Sequence, residues 1–410
     1  MKKLLNAAVL SAVAGSVSVT AQAHVPEAEW EQFKTQFAAM AARVEALEAE
    51  NTALKSAATV PVEDLAVLQA DVVSLKAQNS STSWAEKLAW KGDFRYRYED
   101  IDDGGDDRQR HRIRARAELV AKTTEDITLG LGVATGGDDP VSTNQTLGGG
   151  GSTKDVRLDK AYFRYQPNEF WLSGGKVSNP YFKPQKSGLI WDGDFRPEGL
   201  FAGYDGKHFF VNSSYAHLES DSKDGLDKAF WGAQVGTSFG PVTLAAGYLD
   251  IPVKGQSAFY DDELFGNSTD EAGNYLYNYE VVSLGADANF NVWEMPLALY
   301  GDVIQNQDAD DQDTGYIVGA KLGKAKNKGS WQIQYQYQDL EADATLGLLT
   351  DSDFMGGGTD GKGHKFSGAY TIVEKWILGF TYFDGEKCTD SVKCDVRDYD
   401  RLMIDAKFKY

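Results

Sequence analysis

The chain has 410 residues, a formal net charge of −20, 12% aromatic residues, and 42 glycines against 10 prolines. A strongly acidic surface repels phosphate groups, so this balance argues against DNA or RNA as a partner. Abundant glycine and tyrosine with little proline is typical of strands that face lipid on one side.

Residues 1–23 have the three parts of a secretory signal peptide. Two lysines precede an apolar run over 4–19, and Ala-Gln-Ala at 21–23 forms a small-x-small cleavage site. We therefore expect an exported mature chain that begins near His24. It contains no run of about 18 apolar residues, which leaves two classes for an exported chain, a soluble protein or a transmembrane β-barrel.

Residues 24–79 carry a heptad pattern. Apolar residues at alternating steps of three and four predict helices with one apolar stripe, and Asn51 occupies an a position. The pattern favours a periplasmic coiled coil that associates with other copies. Helices folded back on one another or against the next domain are the alternative. The apolar positions are Trp30, Phe33, Phe37, Met40, Val44, Leu47 and Leu54, and, after Pro61, Leu65, Leu68, Val72 and Leu75.

Residues 80–87 form a polar linker, and the chain then alternates between apolar and polar residues. Aromatic residues alternate with charges in 88–98, aliphatic residues alternate with arginines in 109–119, and aromatic residues alternate with glutamines in 331–338. Period-two alternation over about ten residues is the signature of an outer-membrane strand. A soluble β-sandwich also alternates, but its polar face does not normally carry four arginines in a row.

Short and long connections take turns between these segments, as in outer-membrane barrels with short periplasmic turns and long extracellular loops. Counting strands between them predicts an all-β fold, an antiparallel transmembrane β-barrel of about 16 strands over 88–410, behind a short α-helical coiled-coil segment. Turns are expected at 123–125, 167–169, 205–206, 240–241, 291–294, 326–328 and 374–375, and loops at 100–107, 136–155, 178–198, 217–227, 252–274, 306–313, 341–363 and 384–398.

The end of the chain adds two expectations. Cys388 and Cys394 are the two cysteines of the sequence. In an oxidising periplasm such a pair closes a loop, and two free thiols are the alternative. The last strand alternates and ends in the aromatic residues Phe408 and Tyr410, which is similar to the insertion signal of outer-membrane proteins.

Four segments of the barrel region are distinctive: DPVSTNQTLG at 139–148, LDKAYFRYQP at 158–167, GKVSNPYF at 175–182 and LIWDGDFRPEGL at 189–200. They resemble the bacterial putative porin family. The resemblance covers about residues 88–410 and is most specific in its first third. It implies an outer-membrane diffusion channel, often behind a coiled-coil prefix, and it supplies no substrate and no catalytic residues.

Six arginines are predicted to share one patch of the barrel wall. Arginine on the lipid face costs about 2–4 kcal/mol at the bilayer midplane, so the face that carries them should look into the lumen. Such a patch favours anions over cations. The alternative is a weakly selective wall in which neighbouring acids pair with the arginines. They are Arg95 and Arg97 on the first strand, and Arg110, Arg112, Arg114 and Arg116 on the second.

The loop 178–198 is the candidate constriction of the lumen. It is long, mixes aromatic rings with charges, and contains three prolines, which stiffen it. A loop of purely external role has less reason to carry so many rings, although a loop that caps the barrel rim through them is the alternative. The predicted constriction residues are Lys183, Lys186, Trp191, Asp192, Asp194 and Arg196.

The other motifs do not indicate a metal site or a catalytic site. Aspartates cluster at 102–107 and 308–313, but DADDQD lacks the glycine of an EF-hand loop, so solvated loop tips are favoured over Ca²⁺ sites and neither a metal nor a cofactor is predicted. The histidines lack HExxH spacing, and GGGGSTK at 148–154 lacks the Gly-Lys-Ser/Thr run, so no enzyme is predicted. A barrel hydrolase that uses His111 or His217 stays open.

Together these features predict a porin in the outer membrane of a Gram-negative bacterium, which passes small hydrophilic solutes or ions by diffusion and prefers anions if its arginines are unpaired. Its expected partners are outer-membrane lipid, lipopolysaccharide and further copies of the chain, with a trimer as one arrangement. The rival hypothesis is a closed barrel with a structural or adhesive role, tethered through its coiled coil.

Overall fold

The computed structural model describes residues 27–56, 87–105, 107–220, 228–388 and 395–410. The chain divides into two compact units, Met1–Thr82 and Ser83–Tyr410. The predicted signal peptide and the predicted second heptad stretch lie outside the described residues, so they stay predictions.

The described part of the first unit is one helix, α1, which spans Glu27–Ser56. It contains the first predicted heptad stretch, and the side chains of Met40, Val44 and Leu47 on its apolar stripe are more than half exposed. The predicted helix is confirmed, whereas association through the stripe stays a prediction. No segment in the helical part of the described chain could span a bilayer.

The second unit is a closed antiparallel β-barrel, as predicted. In chain order its strands are β1 (Leu88–Asp102), β2 (Asp107–Lys122), β3 (Ile127–Thr135), β4 (Gln145–Thr146), β5 (Val156–Tyr165), β6 (Phe170–Lys176), β7 (Glu198–Asp205), β8 (Phe209–Glu219), β9 (Lys228–Phe239), β10 (Val242–Ile251), β11 (Tyr279–Val292), β12 (Met295–Asn306), β13 (Thr314–Gly323), β14 (Trp331–Leu340), β15 (Gly361–Val373), β16 (Trp376–Cys388) and β17 (Val396–Lys409).

Closure of the sheet follows from the pairing of its first strand. β1 pairs with β2 on one side and with β17 on the other, so no edge is left unpaired at the seam. The two-residue strand β4 belongs to a loop and pairs with β2 beyond the end of β3. The wall therefore consists of 16 strands, which confirms the predicted number.

Alternation along each strand separates the two faces of the wall. On β1, Phe94 and Tyr96 are 38% and 40% exposed, whereas Arg95 and Arg97 between them are 5% and 3% exposed. On β14 the glutamines Gln336 and Gln338 are buried in the same way. Apolar and aromatic side chains thus cover the outside, and polar side chains point into the barrel.

The two ends of the barrel differ. At one end, hereafter the turn end, strands are joined by the seven short turns predicted from the sequence; at the other, hereafter the loop end, they are joined by longer segments. In the turn between β11 and β12, Trp293 and Glu294 both have positive φ, which is the geometry of a tight hairpin turn. The first predicted loop is shorter than expected because β1 and β2 extend into it.

Part of the lumen is filled by an apolar cluster. It packs against the inner side of β7 to β14 and is made largely by three loops that fold inward from the loop end: residues 177–197, hereafter the first inward loop; residues 252–278; and residues 341–360, hereafter the second inward loop. Fully buried members include Leu189, Val253, Tyr275, Ala344, Leu346 and Leu349.

Candidate functional site: a lumenal arginine wall and two inward loops

The six predicted arginines lie together on the lumenal side of β1 and β2. The strand register places Arg95 opposite Arg114 and Arg97 opposite Arg112. Side chains directly opposed across antiparallel strands are neighbours about 5 Å apart, so the register brings like charges close together. Only interleaved acidic groups can offset their repulsion.

β17 supplies one of these acids and one more arginine. Asp405 accepts hydrogen bonds from Arg97 Nε at 2.7 Å and Nη2 at 3.1 Å, a bidentate ion pair. Arg401, also on β17, donates to Glu99 Oε1 at 3.0 Å, and the same carboxylate accepts from Arg110. The arginines in this part of the patch therefore have acidic partners.

Nearer the turn end, the carboxylate of Asp93 lies between two further arginines. Asp93 accepts hydrogen bonds from Arg114 Nη2 at 2.8 Å and from Arg116 Nε at 2.7 Å. Arg116 also donates from Nη1 to Asp194 of the first inward loop at 2.6 Å. The loop and the wall are therefore joined by charge as well as by packing.

Two arginines have only long ion pairs. Arg95 lies 3.9 Å from Asp405, and Arg112 lies 3.7 Å from Glu99. Within the described part of the chain, the Nε of each arginine is buried without a hydrogen-bond partner. Overall, seven arginines face five carboxylates: Arg95, Arg97, Arg110, Arg112, Arg114, Arg116 and Arg401 against Asp93, Glu99, Asp194, Asp353 and Asp405.

The first inward loop crosses the lumen. Along its outward course, Tyr181 bonds to Ser214 of β8 at 2.6 Å, Gln185 donates to Asp287 of β11 at 2.6 Å, and Ser187 donates to Asp302 of β12 at 2.8 Å. On its return, Asp194 meets β2 and Arg196 pairs with Asp159 of β5 at 3.3 Å. The loop thus passes from one wall to the other.

The tip of this loop is conformationally strained. Gln185 and Lys186 have φ of 44° and 67°, a region that non-glycine residues rarely adopt. Polar contacts from neighbouring strands hold the tip there, since Gln185 donates to Asp287 of β11 and Lys321 of β13 donates to Gln185 Oε1 at 3.2 Å. Strain of this kind is typical of segments fixed by their surroundings at functional sites.

The predicted constriction residues differ in exposure. Trp191, Asp192, Asp194 and Arg196 are buried, Lys183 is half-buried, and Lys186 is exposed. Lys183 Nζ donates to the carbonyl oxygen of Trp191 at 3.2 Å. The rings of Trp191 and Phe195 in this loop belong to the buried apolar cluster.

The second inward loop joins the first. Asp192 N donates to the carbonyl oxygen of Leu349 at 2.7 Å, and Ser352 donates from N and Oγ to Asp192 Oδ2 at 2.9 and 3.1 Å. Asp351 N donates to the carbonyl oxygen of Gly188 at 3.1 Å. The two inward loops are therefore joined, and the contact between them is centred on Asp192.

Burial and charge set the titration of the aspartates in this contact. Burial, with help from the nearby charges of Asp351 and Asp194, raises the pKa of Asp192 to about 8. Although burial acts in the opposite direction, Arg114 and Arg116 hold the pKa of Asp194 below its usual value. The two neighbouring carboxyl groups therefore differ in charge at neutral pH, Asp192 protonated and Asp194 ionised.

The second inward loop was expected among the external loops, and the sequence does not predict its course inside the barrel. It is anchored to the arginine wall by Asp353, which accepts from Arg97 and from Arg401, each at 2.9 Å. A usable signal was present in the sequence, because the run Ala-Thr-Leu-Gly-Leu-Leu at 344–349 is too apolar for a solvated loop.

Other predicted residues lie away from the constriction or outside the description. Cys388 ends β16, and no described cysteine carries a free thiol, but Cys394 lies outside the described residues. Phe408 stacks on Trp376 on the outer face, and Tyr410 Oη donates to the carbonyl oxygen of Arg116 at 2.8 Å. Among the described residues, no group of three acidic, histidine or cysteine side chains is arranged to hold a metal.

Comparison with known proteins decides the family. Residues 100–261 and 268–410 match the model of a family described as "Putative porin". The chain belongs to this family. The match confirms the resemblance noted in the sequence, and with the 16-strand barrel it assigns the chain as an outer-membrane porin. No curated protein matches the sequence significantly.

Solved structures similar to this porin are outer-membrane porins of low sequence identity, a likeness that shows the fold. OprB of Pseudomonas putida is 12% identical, with a TM-score of 0.55 over 80% of this chain and 96% of that one. A triple mutant of the Rhodopseudomonas blastica porin is 12% identical, with a TM-score of 0.50 over 79% and 100%. OmpF of Salmonella typhi, in complex with daunomycin, is 14% identical, with a TM-score of 0.50 over 79% and 97%.

Proposed function

We propose that this porin is a passive channel for small hydrophilic solutes and ions, and that it prefers anions. The proposed preference for anions rests on two arginines, Arg95 and Arg112. Both are on the lumenal face, and each lies more than 3.5 Å from the nearest carboxylate. Guanidinium groups always carry their charge, so an arginine without a close acid attracts mobile anions.

The test is single-channel current from the purified, full-length protein in a planar bilayer under a KCl gradient. The proposal expects discrete current steps and a reversal potential of the sign set by chloride. Arg112→Gln should shift that potential toward the cation side, whereas the matched control Arg112→Lys, which keeps the charge, should leave it nearly unchanged. Equal shifts in both variants would assign the preference to another part of the lumen.

The second candidate is a closed barrel with a structural or adhesive role. The filling of part of the lumen by the apolar cluster favours it. A bilayer that stays silent although insertion is verified would support this candidate and exclude the channel.

The proposed setting of the porin follows from the same features. The turn end and the N-terminal segment lie in the periplasm, the loop end faces outward, and the aromatic outer face contacts lipid and lipopolysaccharide. Copies of the chain associate, through α1 or through the barrel, and a trimer is the arrangement that we propose.

A further inference from the structure

Positive charge at the turn end of the barrel is concentrated on one side. Four lysines, hereafter the lysine cluster, lie in two of the seven turns, the turn between β13 and β14 and the turn between β15 and β16, with Glu374 as the acidic side chain among them. They are Lys324, Lys326, Lys328 and Lys375. The other five turns have the opposite balance, with Lys207 against Glu125, Asp126, Glu169 and Glu294.

The two turns of the lysine cluster are neighbours on the rim. β14 pairs with β15 along its whole length. Beyond the last paired residues, Gly329 N donates to the carbonyl oxygen of Thr371 at 2.8 Å, and Thr371 N donates to that of Ser330 at 2.9 Å. The four lysines therefore occupy one stretch of rim.

The first of these turns has a fixed shape. Ser330 donates from N and from Oγ to the carbonyl oxygen of Asn327, at 2.9 and 2.6 Å, and its Oγ accepts from Lys326 N at 2.8 Å. Gly329 has a φ of 80°, which glycine adopts without strain. The turn thus holds three lysines at alternate positions on an ordered backbone, so little order has to be gained when they bind a ligand.

The ammonium groups of the lysine cluster have no acidic partners. All four lysines are exposed. Within the described part of the chain, no carboxylate oxygen lies within 4.0 Å of any of them, whereas Lys362 at the loop end pairs with Glu386 at 2.7 Å. Unpaired positive charge concentrated on one surface attracts anions.

Aromatic rings lie next to the cluster on the outer face of the barrel. Trp331 begins β14 and lies opposite Tyr370 of β15, and the two side chains are 41% and 47% exposed. Trp376 follows Lys375 directly and stacks on Phe408 with ring centroids 5.3 Å apart. Trp and Tyr on the outside of a membrane protein mark the level of the lipid headgroups. The lysines therefore lie at the height of the lipid phosphates.

We propose that the lysine cluster docks an anionic glycerophospholipid from the leaflet at the turn end. The phosphate accepts charge-assisted hydrogen bonds from the ammonium groups, and the acyl chains lie along the outward rings of Trp331 and Tyr370. A ligand that contacts both the lysines and these rings needs a phosphate and an apolar body, which favours a lipid over a soluble polyanion. This docking surface is independent of whether the barrel conducts.

Native mass spectrometry of the full-length porin tests the docking surface. Micelles that contain equal amounts of phosphatidylglycerol and phosphatidylcholine offer both lipids, and the spectrum shows which one stays bound. The wild-type chain should retain phosphatidylglycerol roughly tenfold more than phosphatidylcholine, because about two lysines near one anionic headgroup account for a change of that order. Substitution of all four lysines by Gln should bring this ratio close to one, whereas substitution by Arg, which keeps the charge, should preserve it.

The matched control removes the same charge from the loop end. It combines Lys154→Gln, Lys228→Gln, Lys254→Gln and Lys362→Gln, and it should leave the lipid ratio unchanged. Equal reductions in the control and in the cluster variant would overturn the proposal, as would a wild-type ratio near one. Co-sedimentation with purified peptidoglycan separates a different partner. If the cluster substitutions abolish co-sedimentation and leave the lipid ratio intact, the lysines bind the cell wall and the lipid proposal is wrong.

Discussion

Asp353 and Arg97 are 256 residues apart in sequence, yet the carboxylate Oδ2 of one lies 2.9 Å from the guanidinium Nη1 of the other. The bond joins the second inward loop to the arginine wall close to the β1–β17 seam. Although burial acts in the opposite direction, Arg97 and Arg401 hold the pKa of Asp353 well below its usual value. The loop is therefore tied to the wall at every pH above the acid range.

Asp353→Asn should loosen this tie. The change leaves Arg97 and Arg401 without one of their acids, and we expect the free energy of unfolding to fall by about 3 kcal/mol, as for a broken buried ion pair. Urea unfolding in detergent, followed by tryptophan fluorescence, measures the loss. Because the folded-state pKa is depressed, the wild-type contribution should be present above about pH 4 and disappear as the pH falls below it.

Asp351→Asn is the matched control on the same loop, two residues away. Its ion pair with Lys365 is longer, 3.5 Å, and about 20% exposed on each side. We expect a loss below about 1 kcal/mol for such a pair. Equal losses of unfolding free energy in the two variants would show that Asp353 stabilises the loop no more than Asp351 does.

The pH dependence of selectivity should follow Asp192. Its pKa of about 8 means that the group is neutral at pH 6.5 and ionised at pH 9. Ionisation adds a negative charge near Lys183, so the preference for anions over cations should decrease as the pH rises through 8. Reversal potentials at both pH values measure the change, and Asp192→Asn should remove it. A change of equal size in Asp192→Asn would assign the titration to another group.

The raised pKa of Asp192 also affects the free energy of unfolding. The folded chain holds the proton of Asp192 up to about pH 8, whereas the ordinary value is 3.8. Between these two pH values the folded state binds more protons than the unfolded state, so the free energy of unfolding should decrease as the pH rises across this window. Asp192→Asn should flatten that part of the curve.

Much of the barrel could be predicted because each strand carries its own signal. Period-two alternation reports which side chains face lipid, and the spacing of turns gives the strand number without any knowledge of tertiary contacts. The same alternation placed Arg95 and Arg97 on the buried face and identified 178–198 as a loop with a reason to lie inside. These inferences needed only local sequence.

What could not be predicted depends on contacts between distant residues. Whether Arg112 is paired depends on Glu99, which is in turn occupied by Arg401 of the last strand. The second inward loop shows no periodicity, and its direction is set by Asp353 and by packing against the first. A loop has no alternating pattern that would indicate whether it faces the lumen or the outside. Its direction therefore depends on contacts that form only in the folded barrel.

The apolar stripe of α1 should drive association. Met40→Glu and Val44→Glu together place charges on the stripe, and we expect a lower oligomer mass by light scattering in detergent. Ala38→Glu and Ala42→Glu are the control, because the same charges then lie off the a and d positions. Deletion of residues 24–79 should have the effect of the first pair. An unchanged mass after deletion would place the contacts in the barrel.

Cys388 and Cys394 should form a disulfide in the exported protein. Thiol titration of the unfolded, non-reduced chain should then detect no free thiol, and reduction should release two. We expect reduction to lower the free energy of unfolding by about 2 kcal/mol, because the closed loop is short. Two thiols in the non-reduced chain would show that the pair is open.

Asn267→Ala tests whether the second inward loop is firmly packed or only loosely fills the lumen. The fully buried Asn267 donates from Nδ2 to the carbonyl oxygens of Ala342 and Thr345, at 2.7 and 2.8 Å, and accepts from the N–H of Gly347 at 2.8 Å. Alanine leaves these backbone groups unpaired, so we expect a loss of about 3 kcal/mol in the free energy of unfolding.

Asn289→Ala removes a single bond of 3.0 Å to Asp287 and provides the control, with an expected loss below about 1.5 kcal/mol. Single-channel records of the same variants add a second measure. If the second inward loop is held in place by Asn267, its release should make the open level of Asn267→Ala noisier than that of Asn289→Ala. A steady open level combined with full stability would mean that the apolar packing of residues 344–349 holds the loop without the asparagine.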